Sequence, residues 1–127
     1  MKSAFVTGAS YGIGAACALA LARDGFHVAV SELDPKNLAD TVAKITAGGV
    51  RAAPVELDLR SLASIERAMT EVLAAFGQLD VLVNSAGAPS ARPPSLEMTG
   101  AVAYLVSPQA AYITGQTLLL DGGLTSY

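Results

Sequence analysis

The feature that most constrains the fold of this 127-residue chain is a glycine-rich turn near its N-terminus. Residues 4–7 predict a short buried strand, and residues 13–24 predict a helix. Three glycines, Gly8, Gly12 and Gly14, occupy the junction. Glycine has no Cβ, so the backbone can turn sharply and approach a ligand closely. The junction therefore predicts a phosphate-binding loop, because backbone N–H groups and the helix N-terminus would face the anion.

Strands and helices alternate along most of the remaining chain. Further strands are predicted at residues 27–32, 50–57 and 79–84, and helices at residues 34–47 and 61–76. Because each strand is largely apolar, the alternation predicts a parallel sheet with helices on both faces. A loop at residues 88–94, a helix at residues 97–106 and a fifth strand at residues 116–121 are expected to follow. If a right-handed crossover joins the fourth strand to the fifth, the chain forms one Rossmann-like, doubly wound α/β domain with strand order 3-2-1-4-5.

Composition narrows the classes of function. No apolar run approaches the ~18 residues of a membrane span, and a net charge of −3 without a basic cluster argues against nucleic acid and membrane partners. The single cysteine, Cys17, allows no internal disulfide, and a first strand beginning at about Ser3 leaves no room for a signal peptide. We expect a cytoplasmic protein without a metal site. The hydrophobic content of 52% predicts a buried core or an oligomer interface, and we expect a homo-oligomer.

Polar or small residues follow the predicted strands at their carboxyl ends, where open parallel sheets bind ligands. Glu32 lies 18 residues after Gly14, close to the spacing at which an acid meets an adenosine ribose. Asp58 and Leu59 follow the third strand, and residues 84–87, Asn-Ser-Ala-Gly, end the fourth. Each of these positions also has a structural alternative. Glu32 can be a solvated acid at the end of a strand, and Asp58 can be a helix N-cap, a role for which Ser61 competes. Residue 84 can simply connect neighbouring strands.

Together these motifs resemble those of the short-chain dehydrogenase/reductase family. Residues 7–14, Thr-Gly-Ala-Ser-Tyr-Gly-Ile-Gly, match the family's TGxxxGxG loop. Asp58 and Leu59 match its adenine-pocket acid and the residue that follows it, and residues 84–87 match its NNAG motif with Ser85 in place of the second Asn. Residues 101–108 and 112–123 resemble its last helix and strand. The resemblance covers nearly the whole chain, in two blocks.

The resemblance implies a role for each matching position. Asp58 would accept a hydrogen bond from the adenine amino group, and the N–H of Leu59 would reach a ring nitrogen. Asn84, Ala86 and Gly87 would form the floor beside the adenosine. The residues implied to lie along the pyrophosphate and ribose are Gly8, Ser10, Tyr11, Gly12, Ile13 and Gly14.

Two residues predict NAD rather than NADP as the cofactor. The carboxylate of Glu32 would repel a 2′-phosphate ~4 Å away by several kcal/mol, even at an effective dielectric constant of about 20. Members of the family that prefer the phosphorylated cofactor tend to carry Arg or Lys just before the second glycine of the loop. This chain has Tyr11 at that position.

The residues that would carry the family's chemistry are missing from these 127 residues. The family uses a Ser, a Tyr and a Lys four positions after that Tyr to orient the carbonyl and donate the proton. The lysines here are Lys2, Lys36 and Lys44, and none stands four positions after a tyrosine. We therefore predict no catalytic residue in the chain. The resemblance implies a junction near residues 99–100 between a cofactor-binding half, residues 1–99, and a C-terminal helix and strand, residues 100–127.

Two explanations of the junction stay open: an internal deletion, or a longer molecule whose central segment these residues leave out. Three functions follow. The first is an NAD-dependent oxidoreductase that moves hydride between the nicotinamide and a small alcohol or ketone. The second is a module that binds NAD and performs no chemistry, and the third is a structural or oligomerisation piece.

Overall fold

Four parallel strands form one sheet in the part of the chain that the computed structural model describes, residues 1–87 and 99–123. In chain order the elements are β1 (Ser3–Thr7), α1 (Gly12–Arg23), β2 (His27–Glu32), α2 (Ala39–Ala47), β3 (Ala52–Glu56), α3 (Leu62–Phe76), β4 (Val81–Asn84) and α4 (Thr99–Leu105). Two 3-10 turns, Pro35–Leu38 and Pro108–Ala110, precede α2 and follow α4. The predicted Rossmann-like α/β architecture is confirmed.

The order of the strands, β3-β2-β1-β4, puts β1 in the middle of the sheet. Thr7, the last residue of β1, lies opposite Ser31 of β2 on one side and Asn84 of β4 on the other. The chain runs from β1 to β2 in one direction and from β3 to β4 in the other. This reversal beside β1 leaves a crevice at the carboxyl ends of the strands, which is where such sheets bind ligands.

Side chains from alternate positions of the strands build a core on each face of the sheet. On one face, α1 and α2 cover β1 and β2. The fully buried residues there include Ala4, Val6, Leu21, Val28, Val30, Leu38 and Ile45. On the other face, α3 covers the sheet. The buried residues of that layer are Phe5, Ala29, Val55, Leu57, Ala68 and Val72.

Side-chain caps set where two of the helical segments begin. Asp34 accepts a hydrogen bond from the backbone N–H of Lys36 at 3.0 Å, as expected of an N-cap acid, but it caps the first 3-10 turn, and α2 itself begins later than predicted. Ser61 accepts from the N–H of Ser64 at 3.2 Å and caps α3. Both β3 and β4 are shorter than the predicted strands.

The predicted fifth strand is wrong. Residues 116–121 form no strand, and three leucines among them are exposed to solvent: Leu118 by 57%, Leu119 by 69% and Leu120 by 44%. The sheet of the described chain therefore has four strands in place of the predicted five.

The position of α4 explains the missing strand. α3 carries the chain from β3 to β4 across one face of the sheet, so a right-handed connection onward past β4 needs its helix on that same face. α4 packs instead against α1 on the opposite face, where Val102 and Val106 join the core. A parallel strand added beside β4 after α4 would need the left-handed crossover, which occurs in only about 2% of such connections.

Two sequence-based predictions lie outside the described residues: the loop at residues 88–94, and the first two residues of the helix predicted to begin at residue 97. None of the helices in the described part of the chain has the length and apolar character to cross a membrane.

Candidate functional site

The turn between β1 and α1 brings backbone atoms closer together than any side chain would allow. Gly8 has a φ of +65°, and a Cβ on it would lie 2.6 Å from the Cα of Ala86. A Cβ on Gly14 would lie 2.1 Å from the carbonyl oxygen of Gly8. Real Cβ atoms do not approach so closely, so both positions require glycine. The predicted glycine loop is therefore a tightly packed turn that holds α1 against the end of β1.

The hydroxyl of Thr7 joins this turn to the end of β4. Its Oγ1 accepts hydrogen bonds from the backbone N–H groups of Ser85 and Ala86, each at 3.1 Å, and the residue is buried. The Asn-Ser-Ala-Gly segment is thereby fixed beside Gly8. Sequence reasoning placed Thr7 in the loop motif and gave it no role; the signal was a polar residue at the end of an otherwise apolar strand.

Hydrogen bonds to β2 and α2 also hold the turn in place. The N–H of Ala9 donates to the carbonyl oxygen of Ser31 at 3.1 Å, and the hydroxyl of the buried Thr41 donates to the carbonyl oxygen of Ala9 at 2.9 Å. The sequence analysis also gave Thr41 no role, although it is a polar residue of α2 between two buried apolar residues, Leu38 at the end of the first 3-10 turn and Ile45 in α2. These contacts hold the loop against β2 and α2.

A cleft of about 260 Å³ opens beside the turn at the carboxyl edge of the sheet. Its lining combines the ends of β1, β2, β3 and β4, as the strand order requires. The predicted site residues that line it are Gly8, Glu32, Asp58, Leu59, Ala86 and Gly87. The lining residues that were not predicted are Ser31, Leu33, Leu57 and Arg60.

Glu32 lies at the end of β2 and is held by Ser10. The Ser10 hydroxyl donates to Oε1 of Glu32 at 3.0 Å, so the glycine turn and the acid are linked by a side-chain hydrogen bond. The second carboxylate oxygen is not engaged in this bond. Glu32 can therefore accept hydrogen bonds from a pair of ligand hydroxyl groups while Ser10 orients it.

Asp58 is paired with a residue that the sequence reasoning overlooked. Nε and Nη2 of Arg60 contact Oδ1 and Oδ2 of Asp58 at 3.0 and 3.1 Å, and the backbone N–H of Arg60 also donates to Oδ1. These bonds from Arg60 hold the pKa of Asp58 below its ordinary value. Because Ser61 caps α3, Asp58 is not the N-cap of that helix. The signal in the sequence was a cation two positions after the acid.

The remaining predicted residues lie around the cleft without lining it. Tyr11 precedes α1 with 64% of its surface exposed, and the side chain of Ile13 packs against the core. Gly12 and Gly14 form the first turn of α1, and Asn84 ends β4. Among residues 1–87 and 99–123 no side chain caps the N-terminus of α1, and the first turn of the helix holds no acidic residue, so that end suits an anion.

Replacing Gly14 tests whether the close approach in the turn is required. We expect Gly14→Ala to lower the free energy of unfolding by about 2 kcal/mol or more, because the new methyl group collides with backbone. The control is Gly100→Ala in α4, where nothing lies within 4 Å of the new Cβ. That variant should leave stability unchanged or raise it by up to about 1 kcal/mol. Urea unfolding followed by circular dichroism measures both, and equal effects would refute the steric account.

The ion pair between Asp58 and Arg60 should make the stability of the fold depend on pH. The pKa of Asp58 is depressed in the folded state, so the pair stabilises the fold above the unfolded-state pKa, about 3.9, and loses its effect as the pH falls through the folded-state value. We expect Arg60→Ala to raise the pKa of Asp58 in a carboxyl NMR titration. Arg67→Ala, which removes a distant pair with Glu71, should not change it. An unchanged pKa in the Arg60 variant would contradict the assignment.

Comparison with known proteins shows the family to which the chain belongs. The family model for short chain dehydrogenases matches residues 2–104. A curated relative, the 3-oxoacyl-[acyl-carrier-protein] reductase FabG of Staphylococcus aureus strain Mu50, is 44% identical over 87 residues, which are 68% of this chain and 35% of that protein. The chain thus spans about a third of the length of the curated relatives that it matches.

Solved structures are similar to about 70% of the chain. A crystal structure of acetoin dehydrogenase from Enterobacter cloacae has a TM-score of 0.64 and 42% identity, covering 71% of this chain and 37% of that one. A metagenomic short-chain oxidoreductase crystallised with NADP has a TM-score of 0.65 and 42% identity, covering 68% of this chain and 39% of that one. With its glycine turn, its strand-end acids and a family match over most of its length, the chain belongs to the short-chain dehydrogenase/reductase family.

Proposed function

We propose that this chain is the cofactor-binding part of an NAD-dependent oxidoreductase, and that these 127 residues bind NAD without catalysing hydride transfer. The observation that carries the proposal is the cleft, which joins the rigid glycine turn to Glu32 and Asp58 at one edge of the sheet. Residues 1–99 would form the cofactor half, and residues 100–127 would supply the C-terminal helix and an extension.

The glycine turn and the N-terminus of α1 would hold the pyrophosphate. The N–H groups of the first helical turn have no partner within the helix, and the helix dipole favours negative charge at this end. The bare backbone at Gly8 and Gly12 lets an anion approach these groups closely. Gly14 keeps α1 packed on the turn, so the donors are positioned before the ligand binds.

The strand-end acids would hold the adenosine. Glu32, oriented by Ser10, would accept hydrogen bonds from the ribose hydroxyls. Asp58, kept ionised and oriented by Arg60, would accept from the adenine amino group. Leu33 and Leu59 line the cleft with 60% and 52% of their surfaces exposed, which suits contact with a flat apolar ring.

The charge of Glu32 supports NAD over NADP. At ~4 Å and an effective dielectric constant of about 20, its carboxylate repels each unit of 2′-phosphate charge by about 4 kcal/mol. Arg60 does not offset this repulsion freely, since its guanidinium is already paired with Asp58. A similar protein was crystallised with NADP, so family membership leaves the choice of cofactor to residues at this site.

When bound, a nicotinamide cofactor supplies or accepts a hydride, and the substrate class we propose for the whole enzyme is a small alcohol or ketone. A proton donor must accompany hydride transfer to a carbonyl. The family's Tyr-x-x-x-Lys pair is absent from this sequence, so the proposed role of these residues ends at binding and orienting the cofactor.

Fluorescence titration with NADH and NADPH tests the proposal. We expect NADH to bind more tightly, and we expect Glu32→Gln to reduce the preference at least about tenfold, because the fixed charge that repels the 2′-phosphate is removed. Glu66→Gln, an exposed acid on α3, is the control and should keep the wild-type ratio. Tighter binding of NADPH by the wild type would overturn the cofactor preference.

The same samples, assayed with a panel of alcohols and ketones, test the absence of turnover. Binding without turnover supports the proposal, and turnover by the purified 127-residue chain would contradict it. If neither cofactor binds to the folded chain, the cofactor assignment is wrong, and a purely structural role becomes the better account.

A further inference from the structure

The hydroxyl of Thr41 differs from those of the other threonines in α2 and α3. Thr46 donates to two carbonyl oxygens of its own helix, at 2.9 and 3.0 Å, and Thr70 donates to the carbonyl oxygen of Glu66 at 2.9 Å. Such local bonds are usual for a threonine within a helix. Thr41 bonds instead to Ala9, a residue of the glycine turn that lies 32 positions earlier in the chain. Its hydroxyl therefore joins two elements that are distant in sequence.

The bond between Thr41 and the turn is buried. Thr41 has 2% of its surface exposed, and Ala9 has none. The hydroxyl oxygen lies 2.9 Å from the carbonyl oxygen of Ala9 and 3.5 Å from that of Ser10. A buried carbonyl group that loses its hydrogen-bond partner destabilises the arrangement that buries it. An apolar side chain at residue 41 would therefore favour a different orientation of the peptide between Ala9 and Ser10.

The peptide between Ala9 and Ser10 lies between two contacts of the turn with β2. Before it, the N–H of Ala9 donates to the carbonyl oxygen of Ser31 at 3.1 Å. After it, the Ser10 hydroxyl donates to Oε1 of Glu32 at 3.0 Å. A peptide group is a rigid plane, so a bond that fixes its carbonyl oxygen also fixes the direction in which the chain continues to Ser10. Thr41 thereby influences the position of the Ser10 hydroxyl and the orientation of the Glu32 carboxylate.

We propose that Thr41 is a positioning residue of the cofactor site. Its buried hydroxyl holds the peptide between Ala9 and Ser10, so that Ser10 orients the carboxylate of Glu32 toward the ribose hydroxyl groups of the ligand. The inference rests on the proposed function, in which Glu32 binds the ribose. Thr41 is not among the residues that line the cleft, so it acts through Ser10 and not by touching the ligand.

Fluorescence titration with NADH compares two substitutions of Thr41 with a matched control. Thr41→Val removes the hydroxyl, and we expect it to weaken NADH binding about tenfold. Thr41→Ser keeps the donor and should bind within about twofold of the wild type. Thr46→Val removes an exposed hydroxyl from the same helix and should also leave the affinity within about twofold.

A double-mutant cycle tests whether Thr41 acts through Ser10. In a Ser10→Ala background the link to Glu32 is already lost, so Thr41→Val should weaken NADH binding by less than about twofold. A role in fold stability alone would give no such dependence on Ser10. Circular dichroism checks that each variant is folded. If Thr41→Val does not fold, Thr41→Cys takes its place in both comparisons, and its weaker donor should reduce the affinity at least about threefold.

Three results would overturn the proposal. The first is a Thr41→Val variant that binds NADH as tightly as the wild type, and the second is a Thr41→Ser variant that binds as weakly as Thr41→Val. The third is an equal effect of Thr41→Val with and without the Ser10 hydroxyl. If the wild type binds NADH and any of these occurs, this inference alone fails. If the folded wild type does not bind NADH, the proposed function fails and this inference fails with it.

Discussion

The close approach of three backbone segments around Gly8 is the constraint on which the site depends. The turn after β1 touches the end of β4 at Ala86, and the first turn of α1 touches Gly8 through Gly14. The hydroxyl of Thr7 fixes the first of these contacts with two hydrogen bonds. Because the backbone is already packed and bonded, the N–H groups that would face a phosphate are positioned without further loss of conformational entropy.

Charge divides the candidate site into two parts, the N-terminus of α1 beside the cleft and the strand ends that line it. No side chain in the described part of the chain caps the N-terminus of α1, so this end suits an anion, whereas Glu32 and Asp58 place negative charge at the ends of β2 and β3. Arg60 neutralises Asp58, whereas the Glu32 carboxylate accepts a hydrogen bond from the neutral Ser10 hydroxyl and pairs with no cation among the described residues. The end of β2 is therefore the part of the site where an additional phosphate on the ligand is most unfavourable.

Much of the fold and the site follows from the sequence because short-range rules control them. Apolar periodicity and caps such as Ser61 predict the elements, and parallel strands must bring Glu32 and Asp58 to one edge. The fifth strand could not be predicted, since apolar residues at 118–120 form a strand only if a partner edge can be reached, and the packing of α4 decides that. The roles of Thr41 and Arg60 also depend on contacts between elements, which periodicity does not encode.

The most direct test of the account is an amide NMR titration of the wild-type chain with NAD. We expect shifts concentrated at residues 8–14, 32–33, 58–60 and 85–87, with the opposite edge of the sheet, around His27 and Gln78, unaffected. Shifts confined to other surfaces, or none at saturating NAD in a folded sample, would contradict the claim that the glycine turn and the strand-end acids form one dinucleotide site.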